Sequence, residues 1–328
     1  MKAIVQHNYG PPDVLEFGDI VMPVPGDDDV LVKVRASSVN AYDWHLMRGT
    51  PYIARLIRRG FGFGLFKPIT RIRGRDVAGM VEAVGRNVTQ LQPSDEVYGQ
   101  CESDGAYAEY VCTPESALAL KPANLTLEEA AAVPLAANTA LLGLRDHGQV
   151  QAGQRVLING ASGGVGTFAI QIAKSFGAEV TAVCSTGKMD VVQAVGADHV
   201  IDYTREDFTG GEQRYDVVFD GVANRSLSDC RRALTPEGTL VLSGGSGGRW
   251  LGPMFFEIGA TVRDRFVRHR LLSNSGKHGT ADLIFIKELI ESGQLRPVID
   301  KTYGSSEAAE AIRHMEERRT RGKVVIAV

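Results

Sequence analysis

One stretch in the middle of the chain limits what it can fold into more than any other: Arg155-Val156-Leu157-Ile158-Asn159-Gly160-Ala161-Ser162-Gly163-Gly164-Val165-Gly166. Its apolar run predicts a strand over Arg155 to Asn159, and a helix is expected over Gly166 to Phe176. That helix sets Val165, Phe168, Ala169, Ile172, Ala173 and Phe176 on one face, with Gly177 where a left-handed C-cap belongs. A glycine pattern alone is weak evidence; between a strand and an amphipathic helix it is strong. A dinucleotide pyrophosphate must approach backbone amides at a helix N-terminus, and a Cβ at the turn would hold it off. Gly160 and Ser162 form the turn, Gly163, Gly164 and the Val165 amide allow that approach, and Gly166 lets helix and strand pack closely. The plainer alternative is a purely structural turn. Three glycines in the four residues from Gly163 to Gly166, inside a βαβ unit, favour the phosphate site.

The end of the second strand, Glu179 to Cys184, selects the nucleotide. A site for the non-phosphorylated cofactor usually carries Asp or Glu there, about 20 residues after the glycines, to bind the ribose 2′-hydroxyl. Here the residues are Val183-Cys184-Ser185-Thr186-Gly187-Lys188. With no carboxylate to repel a 2′-phosphate, Ser185 as donor and Lys188 as cation favour NADPH over NADH. Tyr203, after the following strand, adds a phenolic contact. Lys188 by itself would read equally well as a solvated lysine.

Further strands are expected at His199 to Asp202, Tyr215 to Asp220 and Thr239 to Ser243. Strand starts recur roughly every 16 to 24 residues, the rhythm of a doubly wound parallel sheet. The chain before this region reads as β-rich, with short runs at Val30 to Arg35, Val77 to Val84, Glu96 to Tyr98 and Ala106 to Val111, punctuated by Gly, Pro or Asp. Thr126-Leu127-Glu128-Glu129 is a capping-box pattern that opens the change of grammar. The tail predicts helices near Thr280 to Glu291 and Ser306 to Glu317 and a last strand, Lys323 to Val328. Two domains follow, an α/β fold in which residues 1–124, rejoined by 269–328, form a β domain and residues 125–268 a dinucleotide-binding domain.

Composition removes other classes. A net charge of −3 over 328 residues excludes a basic nucleic-acid binder. No apolar run approaches the roughly 18 residues of a membrane span. Met1-Lys2-Ala3-Ile4-Val5 is too short an apolar start for a secretory signal. Cys101, Cys112, Cys184 and Cys230 show no Cys-x-x-Cys spacing and read as reduced thiols of a cytoplasmic protein.

With these residues in place, the chain resembles the medium-chain dehydrogenase/reductase superfamily. It is most similar to the zinc-independent quinone oxidoreductase branch, which includes zeta-crystallin-like and reticulon-interacting-protein-like reductases. The resemblance spans nearly the full length. It is carried by Ser38-Val39-Asn40-Ala41-Tyr42-Asp43, Gly49-Thr50-Pro51-Tyr52, Gly74-Arg75-Asp76-Val77-Ala78-Gly79, the glycine turn, and Ala197-Asp198-His199-Val200-Ile201-Asp202-Tyr203. It implies a GroES-like β-barrel domain beside a Rossmann domain, with the active site in the cleft between them, and a homodimer would fit the family. Zinc members carry a Cys and a Gly-His-Glu motif where this chain has Asn40 and Gly74-Arg75-Asp76, so neither thiolate nor imidazole is present to build a tetrahedral site. No metal is therefore expected.

Without a Lewis acid, a simple carbonyl is hard to reduce, whereas quinones and α,β-unsaturated carbonyls spread the charge they accept. The expected activity is NADPH-dependent hydride transfer to such an acceptor. The resemblance carries the nicotinamide-end residues onto Asn40, Asp43, Gly49 and Tyr52. Asn40 would bond the nicotinamide ribose or the substrate oxygen, and Asp43 would cap the turn that orients Asn40. Tyr52 is either a proton donor and oxygen anchor or a packing aromatic. Thr139 matches a threonine near the nicotinamide, and Ser243-Gly244-Gly245 ends the late strand where ligands gather. Phe61-Gly62-Phe63-Gly64-Leu65-Phe66, flanked by arginines, is either a flap over the substrate or a packed segment. Phe255, Phe256 and Phe266 either line the acceptor pocket or fill a core. Two other functions stay open. One is an enoyl-thioester reductase whose carrier meets Arg263, Arg265, Arg268 and Arg270; the other is a non-catalytic NADPH-binding sensor.

Overall fold

The structure, a computed structural model, describes residues 1–57, 63–244, 269–274, 276, 279–317 and 319–328. Contacts divide the chain into two units: Met1–Asn138 with His278–Gly293 and Pro297–Val328, and Thr139–Lys277 with Gln294–Arg296.

The first unit opens with β1 (Lys2–Gln6) and β2 (Leu15–Asp19), an antiparallel pair. The long strand β3 (Asp29–Val39) is followed by helices α1 (Ala41–Arg48) and α2 (Tyr52–Ile57). Strands β4 (Asp76–Val84), β5 (Glu96–Gln100), β6 (Tyr110–Pro114) and β7 (Leu118–Leu120) lead to α3 (Leu127–Ala131) and α4 (Pro134–Leu141). Val30, Val32, Val34, Val77, Val81, Val97 and Leu118 fill the barrel-like core. β3 outruns its apolar signal because the buried Ser37 and Ser38 hydroxyls find acceptors, the carbonyl and the carboxylate of Asp76. The strand expected at Ala106 to Val111 lies instead at Tyr110–Pro114. Ala106 and Tyr107 are held by the Gly74 and Arg73 carbonyls, outside the ladder. Thr126 and Glu129 close the expected capping box, each accepting from the other's backbone amide.

The second unit is built on β8 (Arg155–Asn159), α5 (Gly164–Ser175), β9 (Glu179–Cys184), α6 (Met189–Ala194) and β10 (His199–Asp202). It continues through β11 (Tyr215–Asp220), α7 (Leu227–Arg232), β12 (Leu234–Leu242) and β13 (Arg270–Ser273). Among the described residues these strands form one parallel sheet in the order β10-β9-β8-β11-β12-β13. That is the order of a doubly wound dinucleotide-binding sheet. Leu157, Val183, Val218, Leu240 and Leu242 belong to its core. The helix begins two residues earlier than expected and is buried beyond its apolar face. Gln171, on that other side, donates to the Arg296 carbonyl at 3.0 Å and accepts from the Arg296 amide at 2.9 Å.

Helix α8 (Thr280–Glu291), β14 (Ile299–Gly304), α9 (Ala308–Glu316) and β15 (Lys323–Ala327) return to the first unit. β15 lies antiparallel on β3, and β14 runs parallel to β15. The contacts thus shift both expected boundaries. Residues 125–138 stay with the β unit because α3 packs on β3 and β4, and 269–274 stay with the parallel sheet because β13 pairs with β12.

Candidate functional site

The chain leaves β8 at Gly160, whose φ of +84° suits a residue without a Cβ. Gly163 then caps α5, whose first-turn amides at Gly164, Val165 and Gly166 have no carbonyl of the helix to bond. A Cβ on Gly166 would lie 2.3 Å from the Gly160 carbonyl oxygen and 2.6 Å from Ala161 backbone atoms, so helix and turn touch there. A Cβ on Gly163 would meet only the Gly160 oxygen, at 3.5 Å. The chain's own packing asks for glycine at Gly166 but not at Gly163, where the turn leaves room for an approaching group. Ser162 is buried beside this turn. The cradle fits a pyrophosphate.

Parallel pairing sets Cys184, the last residue of β9, opposite Asp202, the last of β10. The Tyr203 amide donates to the Cys184 carbonyl at 3.1 Å, tying the two strand tips. Ser185, Lys188 and the half-exposed Tyr203 therefore share one ledge. Residues 183–188 predict no carboxylate at this tip, and the structure corrects that expectation. Asp202 arrives from the neighbouring strand, which spacing along one strand cannot reveal. Its Oδ2 accepts from the Thr186 hydroxyl at 2.5 Å, and its Oδ1 accepts from the Thr204 amide at 3.0 Å and hydroxyl at 2.7 Å. Those hydroxyl bonds hold its carboxyl below the usual range.

Asn274, which no sequence signal marked, joins two expected positions. Its Nδ2 donates to the Thr139 carbonyl and to the Ser243 hydroxyl, both at 2.8 Å. Its Oδ1 is buried and has no partner among the described residues, so it is free to accept from a ligand. Gly244 follows Ser243 at the end of β12, where a Cβ would lie 2.4 Å from the Gly221 carbonyl oxygen. Gly245 lies outside the described residues, as do Phe61, Gly62, Phe255, Phe256, Phe266, Arg263, Arg265 and Arg268.

The first unit holds a different arrangement. Asn40 precedes α1, and its amide donates to Asp43 Oδ2 at 2.8 Å. The Asn40 side chain is committed at both ends. Nδ2 donates to Asp76 Oδ2 at 2.9 Å, and Oδ1 accepts from Lys323 Nζ at 2.6 Å. Lysine only donates and a carboxylate only accepts, which fixes the amide's orientation. Asp76 also accepts from the Ser38 hydroxyl at 2.5 Å and from the Leu135 amide at 2.8 Å. Asn40, Asp43, Asp76 and Lys323 are all buried. Asn40 therefore serves first as a strut between β3, β4 and β15.

Gly49 ends α1, and Arg55 donates through Nε to its carbonyl at 2.7 Å. The Arg55 guanidinium lies 4.2 Å from the Tyr9 ring centroid and 4.9 Å from that of Tyr52. Tyr52 is thus set by cation–π stacking. Arg75 donates to the Tyr42 hydroxyl at 3.0 Å and lies 3.9 Å from Asp104, whose other oxygen is 3.3 Å from Arg73. Burial pushes Asp104 up to about 6 despite both arginines, and Asp43 up to about 7 with the Asp104 charge adding. Burial also raises Tyr42 to about 12. Among the described residues no group of three or more His, Cys, Asp or Glu has the arrangement to hold a metal ion. None of their helices is long and apolar enough to cross a membrane.

A dinucleotide cradle on a doubly wound sheet, with a barrel-like β unit on the same chain, defines a two-domain dehydrogenase. Residues 26–123 match the family described as alcohol dehydrogenase GroES-like domain, and residues 195–326 match that described as zinc-binding dehydrogenase. The 2-methylene-furan-3-one reductase of Solanum lycopersicum is 34% identical over 99% of this chain and 79% of its own length. The chloroplastic NADPH-dependent alkenal/one oxidoreductase of Arabidopsis thaliana is also 34% identical, with the same coverage. The structure of the quinone oxidoreductase from Coxiella burnetii superposes with a TM-score of 0.87 at 29% identity, over 100% of this chain and 99% of that one. The chain belongs to the medium-chain dehydrogenase/reductase family and is an NAD(P)H-dependent oxidoreductase.

Proposed function

We propose that the protein is an NADPH-dependent reductase that passes hydride to a conjugated acceptor, a quinone or an α,β-unsaturated carbonyl. The observation that carries this reading is the ledge of Ser185, Lys188 and Tyr203, beneath which the nearby acid is turned inward and saturated with donors. A 2′-phosphate would meet a cation and donors there, with the Asp202 carboxylate buried and already hydrogen-bonded. The names of the tomato and Arabidopsis relatives, a methylene-furanone reductase and an alkenal/one oxidoreductase, support the acceptor class.

When bound, the cofactor supplies the hydride. The first-turn amides of α5 would hold the pyrophosphate, and Asn274 Oδ1, with Thr139 and Ser243 beside it, would accept from the carboxamide end. Tyr52, steadied by Arg55, is the proton donor or oxygen anchor. Asn40 and Asp43 hold the start of α1 rather than touch the acceptor. Arg75 is a permanently charged guanidinium at the position expected for a metal-binding imidazole, so chemistry that needs little polarisation of a carbonyl suits the site.

The test is an acceptor panel of a benzoquinone, an alkenone and a crotonyl thioester, each with NADPH and with NADH, with metal content assayed on the same sample. Reduction of quinone or alkenone, faster with NADPH, is expected. A preference for the thioester would favour an enoyl-thioester reductase, and tight NADPH binding without turnover would favour a sensor. Tyr52→Phe should lower kcat by about 100-fold while leaving NADPH affinity unchanged.

A further inference from the structure

We propose that Arg205 is a second cation for the cofactor's 2′-phosphate and that Asp202 is the positioning residue that aims it, an inference that rests on the NADPH reading above.

The argument begins with where the Asp202 carboxylate points. An acid at this tip would ordinarily accept from a ribose hydroxyl and repel a phosphate. Here the side chain is 7% exposed, and both oxygens already accept from Thr186 and Thr204. Its hydrogen bonds are made inside the loop that it organises, while its charge still reaches Arg205. Arg205 follows in the same turn, its amide donating to the Asp202 carbonyl at 3.0 Å. Its Nε sits 3.6 Å from Asp202 Oδ2, while the side chain is 76% exposed.

An arginine that faces its acid with the Nε edge, at ion-pair rather than hydrogen-bond distance, leaves its two terminal nitrogens for another anion. No partner for Nη1 or Nη2 is found among the described residues. The guanidinium fork matches a phosphate better than an ammonium does, because two parallel N–H bonds reach two oxygens. Lys188 stands on the facing turn, after β9, and Arg205 on the turn after β10. A phosphate dianion over the ledge would meet one cation from each strand tip. Asp202 then acts as the counterweight that keeps Arg205 on the ledge instead of trailing in solvent. The Thr186 bond makes the same carboxylate the hinge between the two turns.

Titrations with NADPH, NADH, 2′,5′-ADP and 5′-AMP on the wild type and on R205A, R205K and D202N test this by affinity alone. R205A should weaken NADPH and 2′,5′-ADP roughly tenfold, and NADH and 5′-AMP less than twofold. R205K should recover part of the loss, and R205A should flatten the salt dependence of NADPH binding. D202N should cost NADPH roughly threefold through the loosened arginine. A wild type that prefers NADPH while R205A keeps the same NADPH-to-NADH ratio overturns the role of Arg205. A D202N variant that loses NADH affinity as much as NADPH affinity overturns the positioning role, since the acid would then be binding the ribose. A wild type with equal affinity for both cofactors instead overturns the NADPH reading itself.

Discussion

The glycine turn of the parallel-sheet unit and the Asn40 network of the β unit are built in opposite ways. The turn is made of backbone: a tight bend after β8, bare amides at the start of α5, and a contact at Gly166 that admits no Cβ. The network is made of side chains that come from Ser38, Asn40, Asp76 and Lys323, with the Leu135 amide as a further donor. A backbone site announces itself in contiguous residues. A side-chain site assembled by β3, β4 and β15 exists only once the sheet has formed. The two should therefore fail differently when changed.

The largest effect belongs to the turn. Gly166→Val would drive side-chain carbon into the Gly160 carbonyl and the Ala161 backbone, neither of which is a flexible group that can swing aside. We expect a loss of ~4 kcal/mol or more and no measurable dinucleotide binding. Denaturant unfolding and an NADPH titration check it, and a variant that binds normally would break the comparison at its stronger end. Next comes Lys323→Met in the network. It leaves the Asp76 carboxylate, whose side chain is fully buried, without its cation at 3.3 Å, and strips the Asn40 oxygen of its donor. Breaking a buried pair from one side costs ~3–5 kcal/mol. NADPH affinity of the protein that remains folded should hold, because the cradle lies in the other unit. Equal loss of affinity and stability would show that the two sites are not independent.

This contrast also explains what was legible beforehand. β8, β9, β10 and β11 fall where the apolar runs put them, and the capping box at Thr126 and Glu129 closes as its spacing implies. Each is a local pattern. The place of Asp202 at the β9 tip depends on pairing with β9, not on its own neighbours in sequence. Asn274 lies far along the chain from the Thr139 carbonyl it bonds, and nothing near it signals that role. The resemblance points Asn40 at a ligand, whereas the structure also bonds its amide to Asp76 and Lys323, partners that only the folded sheet supplies. Local pattern reaches backbone sites; it does not reach a network closed by β15.

The smallest effect separates the units by pH. At the end of β10 and in the loop beyond it, hydrogen bonds draw Asp202 and Asp207 below the usual carboxylate range. Such groups add stability above their unfolded values and lose it as pH falls through the folded ones. In the β unit the sign reverses. Burial holds Asp43 near 7, above the ordinary value of about 4 for an unfolded chain, so the folded state binds that proton more tightly. Stability should be greatest below the unfolded value, decline as pH rises toward the folded one, and level off beyond it. Asp104, held at about 6, adds in the same direction over a narrower window. Asp43→Asn keeps an oxygen to accept from the Asn40 amide and removes the charge. We expect its lead over the wild type to grow by about 2–3 kcal/mol between pH 5 and pH 8. Urea unfolding of both proteins at four values across that interval reads the difference directly. If the variant declines with pH as steeply as the wild type, the buried carboxyl at the start of α1 is not the source of the slope.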